Sequence, residues 1–253
     1  MVPLLLAVAT WELIFPEHKE AAPFARRWTS NYALFAIAVA LTALLAPSLA
    51  FVTNIVLERS PLRWQPGALG FWIHLALACV LLDVLTYAVH RLMHVMPWLW
   101  RLHALHHSDV SLDVSTTVRH HPAEAIFTAV VVGIGGAVLG CSAVEVAAYG
   151  VIENVVQLVG HADIRLPKLV ESAVRNLFVT PNFHRIHHSS RKSETDSNYG
   201  QVFAFWDRLF GSYSGYANGE RGEVEYGLTQ LRDAQSQRLD QTLLLPIRLK
   251  VPD

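Results

Sequence analysis

Residues 90–107 read HRLMHVMPWLWRLHALHH and hold five histidines in eighteen positions. On an α-helix, residues three or four positions apart lie on one face, so each of the two sets in this stretch directs its imidazoles to one point. Pro97 separates the sets, because proline breaks the interior of a helix. We therefore expect one helix to end near Pro97 and a second to begin at about Trp98. The histidines of the H-x-x-x-H and H-x-x-H-H patterns are His90, His94, His103, His106 and His107.

The H-x-x-H-H spacing occurs a second time, at His184, His187 and His188. A single histidine on an apolar face is usually a packed core residue. Packing does not easily explain three clusters, because crowded imidazoles repel one another once protonated and need partners when buried. Imidazole is a ligand suited to zinc, copper, iron and nickel. The pattern therefore predicts a multi-histidine centre able to hold more than one metal ion.

The composition indicates a membrane protein. Of the 253 residues, 52% are hydrophobic and only 16% are charged, whereas soluble domains carry about 25% charged residues. The formal net charge of -1 offers no broad basic surface, so we expect no nucleic-acid partner. Cys79 and Cys141 both lie in apolar runs, where a thiol behaves as a small hydrophobe, and they form no disulfide framework.

Uncharged runs mark the membrane segments. Residues 32–57 would reach about 39 Å as a helix, enough to cross a bilayer core. Residues 70–89 form the next span, and residues 125–144 and 146–160 read as a helical hairpin that enters the bilayer and returns. Residues 1–15 are apolar but short, and their lack of a basic start argues against a removable signal peptide.

These segments predict an all-α, integral membrane helical bundle. We expect about four spans, or two hairpins, plus a short N-terminal helix and a cytoplasmic helical cap that carries the histidine clusters. The loop with Lys19, Arg26 and Arg27 favours the cytoplasmic side, although Arg59 and Arg63 on the opposite loop weaken that assignment. An even number of crossings returns the chain to the side that it left, so one site can collect all three clusters.

The chain divides into five segments of one domain. The predicted parts are N-terminal membrane helices, a first histidine region, a membrane hairpin, a second histidine region and a polar tail without a readable chemical signal. Their boundaries are 1–89, 90–122, 123–160, 161–215 and 216–253.

Further polar residues lie near the clusters. Asp83, Tyr87 and His90 share one helical face, so Asp83 could orient a liganding imidazole through its far nitrogen, or could make a polar contact between spans. His161, four residues after Gln157, stands where the hairpin returns and is a predicted ligand. His120 and His121 are weaker metal candidates, since adjacent residues do not share a helical face; either could instead be a hydrogen-bonding turn residue.

In combination, these motifs resemble the fatty acid hydroxylase/sterol desaturase superfamily. The order is similar to its bacterial sterol desaturase-like branch, which includes alkylglycerol monooxygenase. Over roughly residues 30–215, the matching stretches are D-x-x-x-Y-x-x-H-R-x-x-H from Asp83, the two H-x-x-H-H boxes, N-Y-G from Asn198 and W-D-R-L-F-G from Trp206.

The resemblance implies an oxygen-dependent enzyme of the bacterial inner membrane, with two iron ions and O₂ as co-substrate. It would hydroxylate or desaturate a fatty acyl, alkylglycerol or sterol-like lipid. An external donor, either a protein such as a cytochrome b5-like protein or ferredoxin or else a reduced pterin, would supply electrons. Relatives can have a tenth ligand where this chain has Gln157, which Gln157, Asn154 or water could replace. The implied ligands are His90, His94, His103, His106, His107, His161, His184, His187 and His188.

Three other classes of protein share parts of this pattern. A zinc hydrolase usually has three protein ligands to its metal and often an H-E-x-x-H motif, which is absent here. A non-enzymatic membrane metal-binding or transport protein would place ligands near the bilayer midplane, where only His74 lies. A di-haem cytochrome needs histidine pairs on facing spans.

Overall fold

The computed structural model describes residues 2–16, 24–63, 68–215 and 224–249. Within these ranges every regular element is helical, and β-type pairing is limited to isolated bridges, which confirms the predicted all-α class. The helices are α1 (Val2–Ile14), α2 (Phe24–Arg59), α3 (Ala68–Val95), α4 (Pro97–His107), α5 (Pro122–Val138), α6 (Ala143–His161), α7 (Lys168–Val174), α8 (Pro181–His187), α9 (Lys192–Thr195), α10 (Phe205–Leu209) and α11 (Leu239–Arg248), with a 3-10 turn at Val114–Val118.

Three of the described helices are long and apolar enough to cross a membrane: Arg26–Arg59, Gly70–Val95 and Ala143–His161. Helices α1 and α5 are apolar but shorter. Large side chains such as Leu44, 76% exposed, and Phe51, 67% exposed, project outward from α2. In water such a surface would be costly, whereas in a bilayer it meets lipid tails of the same polarity.

The turn between α5 and α6 meets the turn that follows α2. Gly140 has φ +82°, and a Cβ built there would lie 2.3 Å from the carbonyl oxygen of Leu62. Only glycine allows this backbone conformation together with so close an approach. Ser60 adds a hydrogen bond from its hydroxyl to the carbonyl of Val138, at 2.8 Å. The two hairpins are thereby joined at their turns, and part of the predicted 58–69 turn, residues 64–67, lies outside the described residues.

Small residues let α5 pack closely against its neighbours. A Cβ at Gly135 would lie 2.7 Å from Leu85, and one at Gly136 would lie 3.0 Å from Leu82, both on α3. Helix α5 also contacts α2 and α6. Close approach of this kind contributes packing energy between helices in lipid, where no hydrophobic effect drives them together.

A buried ion-pair network fixes the start of α2 to the segment after α4. Arg27 donates to Asp109 at 2.6 Å and to Asp113 at 3.0 Å, and all three side chains are buried. Burial alone would raise the pKa of Asp109. The positive charges of Arg27 and Arg119, together with the hydrogen bonds from Arg27 and Thr116, outweigh that effect and hold this pKa below its ordinary value. Arg26 and Arg27 of the predicted cytoplasmic loop are thus described, whereas Lys19 lies in 17–23, outside the described residues.

The C-terminal segment packs onto the same end of the bundle. Leu245 and Leu249, at the end of α11, join a buried cluster with Leu34 of α2 and with Leu105 of α4. The side chain of Gln237 accepts a hydrogen bond from buried Arg119 at 3.0 Å. The described part of the segment predicted as a polar tail, residues 224–249, therefore supports the helix that carries the first H-x-x-H-H.

Candidate metal centre

Short helices present the histidines. The last two turns of α3 carry His90 and His94, and α4 begins directly after Met96 with Pro97 in its first turn. This break, predicted from Pro97, turns the chain so that the second histidine set faces the first. Helix α8 begins after Thr180, whose hydroxyl accepts a hydrogen bond from the backbone N–H of Phe183 at 3.3 Å. Such a cap favours a helix at this point and aligns the second H-x-x-H-H.

The nine histidines predicted as ligands come together in two groups. Within each group, one ring nitrogen of every histidine lies within 4.8 Å of those of the others, a geometry that could hold a metal ion. Imidazoles of the two groups also contact each other, as in the stacked rings of His107 and His188, whose centroids are 4.6 Å apart. The five-histidine group is His90, His94, His103, His107 and His187, and the four-histidine group is His106, His161, His184 and His188.

The inner nitrogens face one another at short range. In the four-histidine group, Nε2 of His161 lies 3.1 Å from Nε2 of His106 and 3.0 Å from Nε2 of His184. In the five-histidine group, Nε2 of His103 lies 3.1 Å from that of His90 and 3.2 Å from that of His107. Several lone pairs converging in this way need a cation among them. The donor set therefore fits a metal ion in each group.

Outer nitrogens of several of these rings lie next to acceptors, among them those of His187, His161 and His103. Nδ1 of His187 lies 2.7 Å from the carbonyl oxygen of Ser197, and Nδ1 of His161 lies 2.8 Å from that of Gln157. Nδ1 of His103 lies 2.8 Å from a carboxylate oxygen of Glu124. Because these oxygens only accept, each Nδ1 carries the proton and each Nε2 presents a lone pair inward. Such outer bonds orient metal-binding imidazoles and raise their basicity.

Five histidines outside the spanning helices are held in the neutral form that binds metal. Burial, together with the neighbouring imidazoles, lowers the pKa of four of them well below the ordinary value. Burial likewise lowers the pKa of His187 to about 3. At neutral pH these rings therefore do not have to lose a proton before they bind a cation. The four histidines whose pKa is lowered well below the ordinary value are His106, His107, His184 and His188.

Asp83 acts on the centre through a loop and not through an imidazole. Its carboxylate accepts hydrogen bonds from the backbone N–H of Val202 at 3.0 Å, from that of Phe203 at 3.1 Å and from Nε1 of Trp206 at 2.8 Å. That loop places the carbonyl oxygen of Tyr199 at 2.8 Å from Nδ1 of His90. Asp83 gives this indirect support in place of a direct bond to a liganding imidazole. It also accepts a hydrogen bond from the hydroxyl of Tyr149 on α6 at 2.8 Å, which is the polar contact between spans considered as the alternative.

The two other signature stretches fold against each other in the same loop. Asp207 of W-D-R-L-F-G accepts hydrogen bonds from the backbone N–H groups of Tyr199, at 2.7 Å, and Gly200, at 2.8 Å. Asn198 has φ +54° and donates from its side chain to the carbonyl of Phe183 at 3.0 Å. The loop behind His90 is thereby fixed to α8 and α10.

Three other polar residues predicted near the clusters, Tyr87, Gln157 and Asn154, bind other partners. The hydroxyl of Tyr87 is 2.7 Å from that of Ser212. Gln157 reaches His161 through its backbone carbonyl, while its side-chain amide donates to the carbonyl of Gln201 at 2.6 Å. The amide of Asn154 donates to the carbonyl of Gly150 at 2.6 Å. Each of the three thus stabilises a helix or loop near the centre.

Two further histidines lie outside both groups. His121 caps the start of α5, where its Nδ1 accepts from the backbone N–H of Ala123 at 3.1 Å and its Nε2 lies 3.2 Å from the carbonyl oxygen of Leu243. This is the turn role considered as the alternative for the pair before Pro122. His74, inside a span, contacts the carboxylate of Glu145.

Glu124 is a part of the site that the sequence reasoning missed, and its partner His120 is one of the two weaker metal candidates. One oxygen of Glu124 lies 2.8 Å from Nδ1 of His103 and 2.9 Å from Nδ1 of His120. The ring of His120 stacks on that of His106, with centroids 4.3 Å apart and planes at 12°. Glu124 thus connects the five-histidine group, through His103, with the four-histidine group. The spacing of four residues between His120 and Glu124 was the available signal.

A cavity of about 530 Å³ lies between α2, α3, α5 and α6 and ends at the histidines. His90 and His103 of one group and His106 and His161 of the other contribute to its lining. The rest is mostly apolar. On α2, the lining residues Phe35 and Val39 are 46% and 47% exposed, so the cavity reaches the outer, lipid-facing surface of the bundle.

Comparison with known proteins gives one matching family model, described as fatty acid hydroxylase, over residues 75–212. The chain is 30% identical to the ornithine lipid hydroxylase OlsE of Rhizobium tropici over 71% of this chain and 50% of that protein. It is 29% identical to the alkylglycerol monooxygenase of Caenorhabditis elegans over 52% of this chain and 25% of that protein. For the Homo sapiens alkylglycerol monooxygenase the identity is 27%, over 67% and 34%.

The chain spans half or less of the length of these three relatives. No solved structure shows significant similarity to it.

Proposed function

The chain belongs to the fatty acid hydroxylase family, and we propose that it is an integral membrane, di-iron, O₂-dependent enzyme that hydroxylates a lipid C–H bond. The observation that carries this proposal is the pairing of two histidine groups, of five and four imidazoles, at the end of one largely apolar cavity. The names of the relatives, a lipid hydroxylase and a monooxygenase, favour hydroxylation over desaturation.

The nine imidazoles of the two groups would hold the iron ions through their inner nitrogens. When bound, two iron ions would supply the activation of O₂ and the redox chemistry needed to break an unactivated C–H bond. Ser197, Gln157 and Glu124 keep the outer nitrogens of His187, His161 and His103 protonated, so the inner nitrogens remain available. Neutral imidazoles bring no negative charge, and Glu124 supplies one carboxylate next to the ligands.

The cavity would hold the lipid tail. Its apolar walls would exclude water and contact the tail along its path to the histidines. They include Val89 and Met93 on α3, and Ala125 and Val132 on α5. Exclusion of water matters because it protects a reactive centre from side reactions. The exposed edge at Phe35 and Val39 lets the tail enter directly from the bilayer.

The topology and the electron supply complete the proposal. The basic residues Arg26 and Arg27 favour a cytoplasmic position for the histidine end. A cytoplasmic protein donor or a reduced pterin would deliver electrons there.

The test is to purify the protein in detergent, measure iron per chain and follow O₂ consumption with membrane lipids. The expected result is two iron ions per chain and a lipid product that has gained one oxygen atom. A product that has instead lost two hydrogens would replace hydroxylation by desaturation. Stoichiometric iron with no oxygen uptake on any lipid would favour the alternative, a metal-binding or transport protein.

A further inference from the structure

One wall of the cavity is polar where the others are mostly apolar. Along α6, Glu153, Asn154 and Gln157 all line it, and the histidine His161 follows at the end of the same helix. At 1.5 Å per residue, Gln157 lies about 6 Å and Glu153 about 12 Å from His161 along the helix axis. A polar row therefore begins one helical turn from the histidines.

One N–H group of each amide in this row is already used. The side-chain nitrogen of Asn154 donates to the carbonyl of Gly150, and that of Gln157 donates to the carbonyl of Gln201, each at 2.6 Å. Since a carbonyl oxygen only accepts, the amide nitrogens must face these partners, which leaves each amide with its oxygen and one further N–H group. Within the described ranges, no side chain donates to either amide oxygen.

The carboxyl group of Glu153 is also weakly satisfied. Its contact is the hydroxyl of Tyr149 at 3.5 Å, while the same hydroxyl is only 2.8 Å from the carboxylate of Asp83. Polar groups in an apolar cavity are costly unless a partner reaches them. The carboxylate of Glu153 and the two amide oxygens are acceptors without a strong partner, so a donor is the partner that would satisfy them.

The charges around the cavity agree with a donor and not with an anionic headgroup. Among the described residues that line it, the carboxylates are Glu124 and Glu153, and none is lysine or arginine. Glu124 is engaged by His103 and His120. The row on α6 thus offers no cation to a phosphate or a free fatty acid.

We propose that Glu153, Asn154 and Gln157 form a subsite for the hydrogen-bond-donating part of a lipid, namely hydroxyl or amine groups close to its polar end. The inference rests on the proposed function in one respect: it takes the cavity as the place where the lipid is held. Because the row lies one to two helical turns from His161, the oxidised carbon lies near the polar end of the lipid and not at the terminal methyl of its tail.

The test compares two neutral ligands with the same tail, hexadecane-1,2-diol and its dimethyl ether, which differ only in their donors. Their dissociation constants are measured by displacement of a fluorescent fatty probe from the intact purified protein, without O₂ or reductant. The wild-type protein should bind the diol at least about tenfold more tightly than the ether. Equal affinities would overturn the proposal, whatever the variants do.

Two substitutions locate the preference. Glu153→Leu should bring the ratio of the two dissociation constants close to one, and Glu153→Gln, which keeps an acceptor oxygen, should retain part of it. Thr42→Val is the matched control, since the Thr42 hydroxyl also lines the cavity but already bonds carbonyls of its own helix. A preference that survives in Glu153→Leu, or that disappears in Thr42→Val, would contradict the assignment.

Failure of this inference differs from failure of the proposed function. A protein that shows the diol preference but oxidises no lipid retains the subsite and loses the oxygenase proposal. A protein that oxidises lipids but binds the diol and its ether equally retains the oxygenase proposal and loses the subsite.

Discussion

Glu124 and His103 lie on different helices, yet a carboxylate oxygen of Glu124 is 2.8 Å from Nδ1 of His103. The same oxygen is 2.9 Å from Nδ1 of His120, whose ring stacks on His106. A single buried carboxylate thus contacts the five-histidine group directly and the four-histidine group through His120. Through this carboxylate the apolar helix α5 contacts the candidate metal centre.

Replacement of Glu124 by glutamine should weaken metal binding. The amide keeps the shape of the side chain but loses the charge, and its oxygen is a poorer acceptor for two imidazole N–H groups. We expect iron affinity to fall by about 10- to 100-fold, measured by competition with a chelator. Glu145→Gln is the matched control, because Glu145 also contacts a histidine, His74, away from both groups. Equal losses in the two variants would show that Glu124 has no special role.

Removal of one imidazole from either group should lower iron content and abolish activity. His187→Ala opens the five-histidine group and His106→Ala opens the four-histidine group. Each variant should remain in the membrane fraction, because the spanning helices are unchanged. Elemental analysis and product formation are the measurements, with His74→Ala as the control expected to keep both. Full activity in both variants would refute the ligand assignment.

Substitution of Asp83 by asparagine should loosen the loop behind His90. The carboxylate accepts hydrogen bonds from two backbone N–H groups and from Trp206. An asparagine amide would place its own N–H groups against some of these N–H groups, which would then lack an acceptor. An unsatisfied buried group costs roughly 1–3 kcal/mol. The thermal midpoint of the purified protein should therefore fall. Wild-type stability in this variant would mean that Val202, Phe203 and Trp206 do not depend on the charge.

The contribution of Asp109 to stability should depend on pH. Against the effect of burial, Arg27 and Arg119 together hold the pKa of Asp109 below its ordinary value in the folded protein, whereas in the unfolded chain this group titrates at ~3.9. As pH falls, the unfolded state takes up the proton first, so the stabilisation is complete above about pH 5 and is lost progressively below it. Asp109→Asn should therefore be less stable than the wild type at neutral pH, by roughly 3–5 kcal/mol for one partner of a buried ion pair.

The difference in thermal midpoint between wild type and Asp109→Asn should begin to narrow near about pH 4 and narrow further as the pH falls below it. Comparing the two proteins at each pH removes the effect of histidine protonation, which both share. A difference that stays constant with pH would assign the role of Asp109 to shape and not to charge.

The open space beside Gly150 should allow the cavity to accept a long lipid tail. It lines the cavity on α6, and a Cβ built there meets no atom within 4 Å. Gly150→Leu would fill that space and should shift product formation toward shorter alkyl chains, measured with a chain-length series. Val151→Leu adds bulk to the neighbouring, 58% exposed position and should leave the chain-length profile unchanged. An unaltered profile in Gly150→Leu would place the tail elsewhere.

The sequence alone determined the local features. The spacing of three and four residues fixes which histidines share a helical face, Pro97 fixes the break between α3 and α4, and apolar length fixes the long helices. These features depend on residues close together along the chain. The nine histidines can therefore be named as candidate ligands from their spacing and from the family resemblance of the motifs that hold them.

Only the tertiary structure decided how the histidines divide into five and four and which residues support them. His187 joins a group with His90, while His106 joins one with His184, although the spacing treats both boxes alike. The spacing pairs Asp83 with an imidazole, whereas Asp83 holds the loop at residues 202–206, and it gives no role to Glu124. The physical reason is that these partners lie up to about 120 positions apart, and only the packing of the helices brings them together.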